Sequence, residues 1–139
     1  MTRLETLRQF VGPSQRQALY SAMQGEEGEC FRARVKALID QLEAMPVTYA
    51  QDGLGDNAVA HLHYFMGSGD WYITEKDSDP VNEAGGHDGQ IQAFGLADLG
   101  YGGELGYISI AELIANGVEL DLHFAPQTLA QLKDTRQAA

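Results

Sequence analysis

The N-terminal third of the chain shows helical spacing of its apolar positions, interrupted by short breaks. Apolar residues recur at helical intervals over residues 4–11, and Gly12-Pro13 interrupts that pattern. A capping-box pattern that starts at Ser14 predicts the beginning of a second helix. From Cys30 to Met45, apolar steps of 4, 3, 4 and 3 predict a third, amphipathic helix, which the following proline ends.

The pattern changes to alternation in the middle of the chain. Residues 58–66 alternate, and residues 71–75 are rich in strand formers. A Gly-Ser-Gly turn separates these segments, which predicts a β-hairpin. A third strand is predicted over residues 90–97, where Gly95 indicates a bulge or a close approach of another backbone. The polar residues 76–89 between these strands are predicted to form a long loop.

The last third of the chain combines strand and helix patterns. Residues 105–108 predict a short strand, and Ser109 begins a capping box for a helix that Asn116-Gly117 ends. Residues 119–124 are predicted to be an extended segment or a docked loop. Pro126 is predicted to open a last helix.

These elements predict an α+β fold in one domain over residues 1–139. A helical N-terminal part covers residues 1–46, and a small, mainly antiparallel sheet packed with helices covers residues 47–139. The length of 139 residues and the content of 44% hydrophobic and 21% charged residues fit one globular domain. The single cysteine, Cys30, excludes an internal disulfide.

No segment of the sequence predicts secretion or membrane insertion. No apolar run approaches the roughly 18 residues of a membrane span. The first residues have no apolar signal core either, so a cytoplasmic protein is expected.

The net charge of −11 is unevenly distributed. Residues 1–36 carry six basic and four acidic side chains, whereas residues 37–132 carry one basic and fifteen acidic side chains. Duplex nucleic acid is therefore a poor direct partner for the acidic section, because its phosphates are repelled. One interpretation is that this negative charge serves only solubility. The sharper interpretation is that the acidic surface imitates DNA or attracts a basic protein.

The sequence contains no recognisable catalytic motif, so no catalytic residue and no cofactor are predicted. His61 and His63 share one face of the predicted strand, where a metal would need a third ligand such as His123 or Glu75. The alternative is that both histidines occupy the wetter face of an edge hairpin, and no metal is assigned. The glycine-rich turn Gly100–Gly103 lacks the lysine of a phosphate-binding loop, so its glycines are expected to shape tight turns.

The second half of the chain carries several motifs in a fixed order. They are Trp71-Tyr72-Ile73-Thr74-Glu75, then Phe94-Gly95-Leu96-Ala97-Asp98-Leu99-Gly100, Glu104-Leu105-Gly106-Tyr107-Ile108-Ser109, Glu112-Leu113, and Asp121-Leu122-His123-Phe124 with Pro126. Over about residues 58–132 this order resembles a bacterial domain family of unknown function, found on plasmids, phages and conjugative elements. The resemblance implies a small acidic α+β protein without established activity, so no catalytic residues carry over. Residues 1–46 do not resemble the short leader of that family.

The charge and the resemblance together lead to a first functional hypothesis. We expect a non-enzymatic interaction protein of mobile-element origin that binds a basic protein, such as a nucleic-acid-binding host defence protein that it inhibits in the anti-restriction or anti-CRISPR manner. The predicted acidic surface consists of Glu75, Asp77, Asp79, Asp98, Glu104 and Asp121. For Asp98, Glu104 and Asp121, capping of backbone N–H groups is the open alternative.

A second hypothesis is a small-ligand-binding or metal-binding domain, or an enzyme, built on the glycine-rich turn. It uses Asp98, Glu104 and the intervening turn, with Tyr101, Tyr107 and His123 as the candidate pocket. Metal analysis and ligand-induced thermal shifts distinguish it from the first hypothesis.

Overall fold

A computed structural model describes residues 3–80, 89–100 and 102–138. Within residues 3–46 the chain forms helices α1 (Arg3–Phe10), α2 (Pro13–Met23) and α3 (Gly28–Ala44). The predicted break between the first two helices is confirmed. The predicted cap at Ser14 is wrong, because Pro13 occupies the first turn of α2 and Gly12 is its N-cap without a side-chain hydrogen bond.

The described residues contain seven strands, which confirm the predicted α+β class. They are β1 (Val59–Ala60), β2 (Leu62–Met66), β3 (Gly69–Glu75), β4 (Ala93–Asp98), β5 (Gly103–Ile108), β6 (Glu119–Leu120) and β7 (Gln127–Thr128). Five of them form an antiparallel sheet in the order β5-β4-β3-β2-β6, and β1 pairs with β7 in a separate ladder. The predicted hairpin corresponds to β2 and β3.

The alternating segment 58–66 is divided between the two sheets rather than forming a single strand. Ala60 pairs with Gln127 of β7, whereas Leu62 pairs with Ile73 of β3. His61 lies at the division, where its N–H donates to the carbonyl of Ile73 at 2.8 Å. The chain changes partner at this residue, which alternation of side chains does not reveal.

Gly95 lies where the backbones of β3 and β4 approach closely, as predicted. A Cβ atom at this position would lie 2.0 Å from the carbonyl oxygen of Tyr72. The register between the two strands also shifts between Ile73 and Glu75. Only glycine fits this contact without displacing the neighbouring strand.

The C-terminal third combines one confirmed helix with one displaced helix. Helix α4 (Ile110–Ala115) begins at Ser109, whose Oγ accepts a hydrogen bond from the N–H of Glu112 at 3.1 Å. Helix α5 (Leu129–Ala138) begins three residues after Pro126, so the predicted start at Pro126 is wrong. Residues 127–128 pair with β1 before the helix begins. Thr128 and Gln131 then cap α5 through reciprocal side-chain-to-backbone hydrogen bonds.

Both faces of the five-stranded sheet are packed against apolar side chains. On one face, residues of α1 and α3 join the sheet in one cluster, and the Tyr64 hydroxyl donates to the carbonyl of Phe10. Burial raises the pKa of that hydroxyl well above its ordinary value. On the other face, Tyr72 and Leu96 pack against Leu129 and Leu132 of α5. The N-terminal helices therefore share a core with the sheet.

Candidate functional site

Four side chains form a row across the end of the sheet. Glu119 lies opposite Phe65, Phe65 opposite Asp70, and Asp70 opposite Asp98. Directly opposed residues of antiparallel strands point to the same face, about 5 Å apart. We call Asp98, Asp70 and Glu119 the carboxylate row. Like charges in such positions repel each other.

His63 lies on the same face, between two carboxylates. Its Nε2 atom is 2.7 Å from Oδ1 of Asp70, and its Nδ1 atom is 3.0 Å from Oδ2 of Asp121. Ionised carboxylates only accept hydrogen bonds, so each contact needs a ring N–H of His63 as its donor. The ring stacks on Tyr72 with centroids 4.6 Å apart, and its side chain is 15% exposed. We call Asp70, His63 and Asp121 the Asp–His–Asp cluster.

Asp121 has a pKa below its ordinary value of 3.8. Partial burial acts against this direction, but hydrogen bonds from His63 and from the N–H of His123 favour the ionised carboxylate and outweigh it. A group whose pKa is lower in the folded than in the unfolded state stabilises the fold at pH values above its unfolded pKa. That contribution is lost as the pH falls through the folded value.

Asp121→Asn is expected to lower the free energy of unfolding by about 1–2 kcal/mol at neutral pH, because the hydrogen bond from His63 to an ionised carboxylate is lost. The difference from wild type should shrink as the pH falls below 3.8, where wild type also loses the ionised group. Urea denaturation between pH 7 and about pH 2 measures it. The exposed Glu27→Gln serves as control, and a difference independent of pH would contradict the assignment.

Glu75 and Asp77 lie inside the protein and not on the predicted acidic surface. They are 4% and 5% exposed. Glu75 Oε1 accepts the N–H of Tyr49 at 2.6 Å, and Oε2 accepts the Thr74 hydroxyl at 3.1 Å. Asp77 accepts backbone N–H groups of residues 79, 91 and 92 at 2.9, 3.2 and 2.9 Å. Both carboxylates accept hydrogen bonds from buried or partly buried donors close to them in the fold.

The other predicted carboxylates do not form one surface either. Asp98 lies opposite Gly103 and Glu104 opposite Ala97, so Asp98 and Glu104 point to opposite faces of the sheet. Asp98 and Asp121 share a face, and each also caps the backbone N–H two residues further along, at 2.9 and 3.0 Å. The capping role that the sequence left open is therefore observed at Asp98 and Asp121, whereas their role in an acidic contact surface stays a prediction. Asp79 is exposed, at the start of the loop whose residues 81–88 lie outside the described ranges.

The described residues of the second hypothesis are not brought together. Tyr107 lies four positions along β5 from Gly103, the partner of Asp98, which corresponds to about 13 Å along a strand. His123 contacts α3 instead, with its Nδ1 atom 3.3 Å from Nη1 of Arg34. Tyr101 lies outside the described residues.

The histidines do not form a metal site in the part of the chain that the structure describes. Both ring nitrogens of His63 are bonded to carboxylates, so neither is available as a ligand in this arrangement. Burial lowers the pKa of His61, which favours its neutral ring. Over residues 3–80, 89–100 and 102–138, no group of three or more potential ligand side chains is placed to hold a metal ion.

A family model described as "Protein of unknown function (DUF2958)" matches residues 32–131. The chain belongs to the DUF2958 family. The matched region begins within α3, upstream of the motifs that carry the resemblance, so it includes most of that helix as well as the sheet. No curated protein and no solved structure shows a significant match. No helix in the described ranges of this DUF2958 protein has the length and apolar character needed to cross a membrane.

A groove of about 380 Å³ opens beside β5 of the DUF2958 protein. We call it the β5 groove, and its lining includes Tyr49, Asp52, Glu75, Phe94 and Leu105. Tyr49 has a positive φ of 78°, a conformation that side chains other than glycine rarely adopt. Its N–H donates to Glu75, and its hydroxyl is hydrogen-bonded to that of Tyr107. Tyr49, which lines the groove, is thus held at its backbone by Glu75 and at its hydroxyl by Tyr107.

Sequence reasoning misses several residues of these sites for identifiable reasons. No pattern singles out Asp70 and Glu119, because only the strand register places them in one row with Asp98. Tyr49 lies at the start of a segment without periodic pattern. The signal available for Asp70 is its position next to a hairpin turn, which locates a residue but not its neighbours across the sheet.

Proposed function

We propose that this DUF2958 protein is a non-enzymatic interaction protein whose carboxylate row binds a basic partner protein. The observation that carries the proposal is the direct opposition of Asp70 and Asp98 on adjacent strands. Opposed carboxylates repel each other in a protein that already carries a net charge of −11. Lysine or arginine side chains of a partner relieve that repulsion when they bind between them.

The Asp–His–Asp cluster supports the proposal because it fixes part of this surface in advance. Asp70 and Asp121 are both held by His63, which is stacked against Tyr72. Side chains that are already ordered lose less conformational entropy when a partner binds. The half-exposed Phe65, which lies in the row between Asp70 and Glu119, adds apolar area at the centre of the surface.

The partner class that we propose is a nucleic-acid-handling protein of the cytoplasm. Such proteins present basic surfaces that neutralise phosphates, and an acidic protein competes for the same surfaces. This competition, together with the resemblance to a family found on mobile elements, leads us to propose a host defence protein as the target. Binding would then inhibit that protein. Mobile-element origin is part of this proposal.

Capture of a partner from bacterial lysate is expected to depend on salt and on the carboxylate row. A protein retained at about 0.05 M salt should be released at about 0.5 M, where screening acts over only a few ångströms. Asp98→Asn combined with Glu119→Gln should slow association by about tenfold, because steering charges are lost. The amide that replaces the Asp98 carboxylate keeps an oxygen that can accept the N–H of Gly100. Mass spectrometry identifies the partner, and surface plasmon resonance gives the rates.

The matched control is Glu26→Gln combined with Glu27→Gln, which removes the same charge from the exposed connection between α2 and α3. It should leave association close to that of wild type, within about twofold. Equal slowing by both double variants would show that net charge acts rather than the row. Retention that is insensitive to salt would overturn electrostatic recognition.

A further inference from the structure

The two edges of the five-stranded sheet differ. At β6 the Gln15 side chain bonds both backbone groups of Leu120, at 2.8 and 2.9 Å, and so replaces a neighbouring strand. At β5 the outer edge has no backbone partner among the described residues. A free edge presents N–H and C=O groups that another extended chain can pair with. Within the described ranges, the sheet is therefore closed at β6 and open at β5.

Strand β5 has little of what usually prevents pairing at an edge, and its one charged residue is the exposed Glu104. Its six residues, Gly103–Ile108, contain neither lysine nor proline. Leu105 and Tyr107 are 49% and 56% exposed. Proteins commonly protect a free edge with lysine, proline or a covering element, and an unprotected apolar edge is a site for strand addition.

The β5 groove shows what kind of side chain such a strand would carry. Leu105 belongs to both the strand and the groove lining, so a chain paired with β5 would lie next to the groove. Asp52 contributes an exposed carboxylate to the lining, Tyr49 and Phe94 contribute aromatic rings, and none of the described lining residues is basic. Glu75 also borders the groove, but its two carboxylate oxygens already accept from Tyr49 and Thr74. Carboxylates together with aromatic faces favour an alkylammonium or guanidinium group. The volume of about 380 Å³ lies at the lower end of the range for ligand sites.

We propose that an extended, cationic segment of a partner protein adds to the sheet beside β5 and places a lysine or arginine side chain in the β5 groove. The main chain supplies binding through ladder hydrogen bonds, and the groove supplies the preference for a basic residue. A second copy of this chain fits less well, because pairing β5 with β5 brings together two molecules that each carry a net charge of −11. This inference shares only the basic partner with the proposed function and uses none of the carboxylate row.

The test uses the full chain and a synthetic peptide of about ten residues in which arginine alternates with valine and threonine. Fluorescence anisotropy measures its affinity, and amide NMR spectra with hydrogen exchange locate it. We expect saturable binding, with shifts and slower exchange of the outward-facing amides of Gly103–Ile108. Two control peptides should bind at least about tenfold more weakly. One replaces arginine with glutamate, and the other replaces valine with proline, which removes ladder donors.

Matched variants separate the edge from general charge effects. Leu105→Lys places a cation on β5 and should weaken peptide binding by about tenfold, whereas Leu99→Lys adds the same charge at an exposed position outside the strand and should change it by less than about twofold. The Asp98→Asn, Glu119→Gln double variant should bind the peptide nearly as wild type does, so this inference and the proposed function can fail separately.

Several results would overturn the inference. These are no binding of the arginine peptide, binding without protection of the β5 amides, or equal effects of the two lysine variants. Concentration-dependent protection of β5 without peptide, with a dimer in sedimentation experiments, would assign the edge to a second copy of the chain instead.

Discussion

Gly95→Ala is expected to lower the free energy of unfolding by about 3 kcal/mol, or to prevent folding altogether, because it overpacks the centre of the sheet. The added Cβ atom would lie 2.0 Å from the carbonyl oxygen of Tyr72, which belongs to the backbone of β3 and cannot rotate away. Strands β3 and β4 must separate locally to accommodate it. The separation would disturb the register on which the carboxylate row depends.

Chemical denaturation followed by circular dichroism measures this effect. The control is Gly106→Ala, since Gly106 lies directly opposite Gly95 on β5 and a Cβ atom there meets nothing within 4 Å. That variant should change the free energy of unfolding by no more than about 0.5 kcal/mol. If both variants lost the same stability, the cause would be the general response of the sheet to alanine rather than the contact with Tyr72.

Asp77→Ala is expected to cost about 3 kcal/mol, the second large effect, because it leaves several backbone donors without their acceptor. Asp77 is 5% exposed and accepts the N–H groups of Asp79, Ile91 and Gln92. These bonds join the end of β3 to the segment that leads into β4. Without them, this connection loses its fixed position before any apolar contact changes.

Asp79→Ala is the matched control, because this neighbouring side chain is exposed and the substitution keeps the backbone N–H that bonds Asp77. It should change the free energy of unfolding by less than about 0.5 kcal/mol. Asp77→Asn should fall between the two, since the amide retains one acceptor oxygen. Equal stability of Asp77→Ala and Asp79→Ala in urea denaturation would contradict the structural role.

These effects bear on function because they separate two kinds of acidic residue. Asp77 and Glu75 act inside the protein, where each serves neighbouring donors. Asp98 and Glu119 lie in the carboxylate row, at the end of the sheet. A mutational scan of all acidic residues would therefore mix losses of stability with losses of binding. The unfolding measurements identify which variants are informative about partners.

Glutamine side chains account for much of what sequence patterns did not predict. Gln15 pairs with β6, and Gln51 bonds both backbone groups of Val59 and the carbonyl of Thr74. Gln41 donates to the carbonyl of His61, where β1 and β2 divide. A primary amide can mimic a peptide group, but its sequence context gives no sign of that use. These contacts fix the ends of strands that alternation alone would have continued.

The amino-acid sequence by itself determined the local features of this protein. The break at Gly12-Pro13, the hairpin of β2 and β3 and the Ser109 cap all follow from backbone preferences of residues close in the chain. The motifs of the second half also determined the family. Such features depend on spacing, and spacing is visible in a sequence.

Only the tertiary structure decided which distant residues meet. Strand register placed Asp70 opposite Asp98 and turned Glu104 to the other face, and it brought Asp121 to His63 across 58 positions of the chain. A shift of register by one residue would exchange the faces of every side chain in a strand. The register is in turn set by packing on both faces of the sheet and by contacts such as that of Gly95 with Tyr72. For this reason the carboxylate row and the open edge at β5 could be found only in the folded chain.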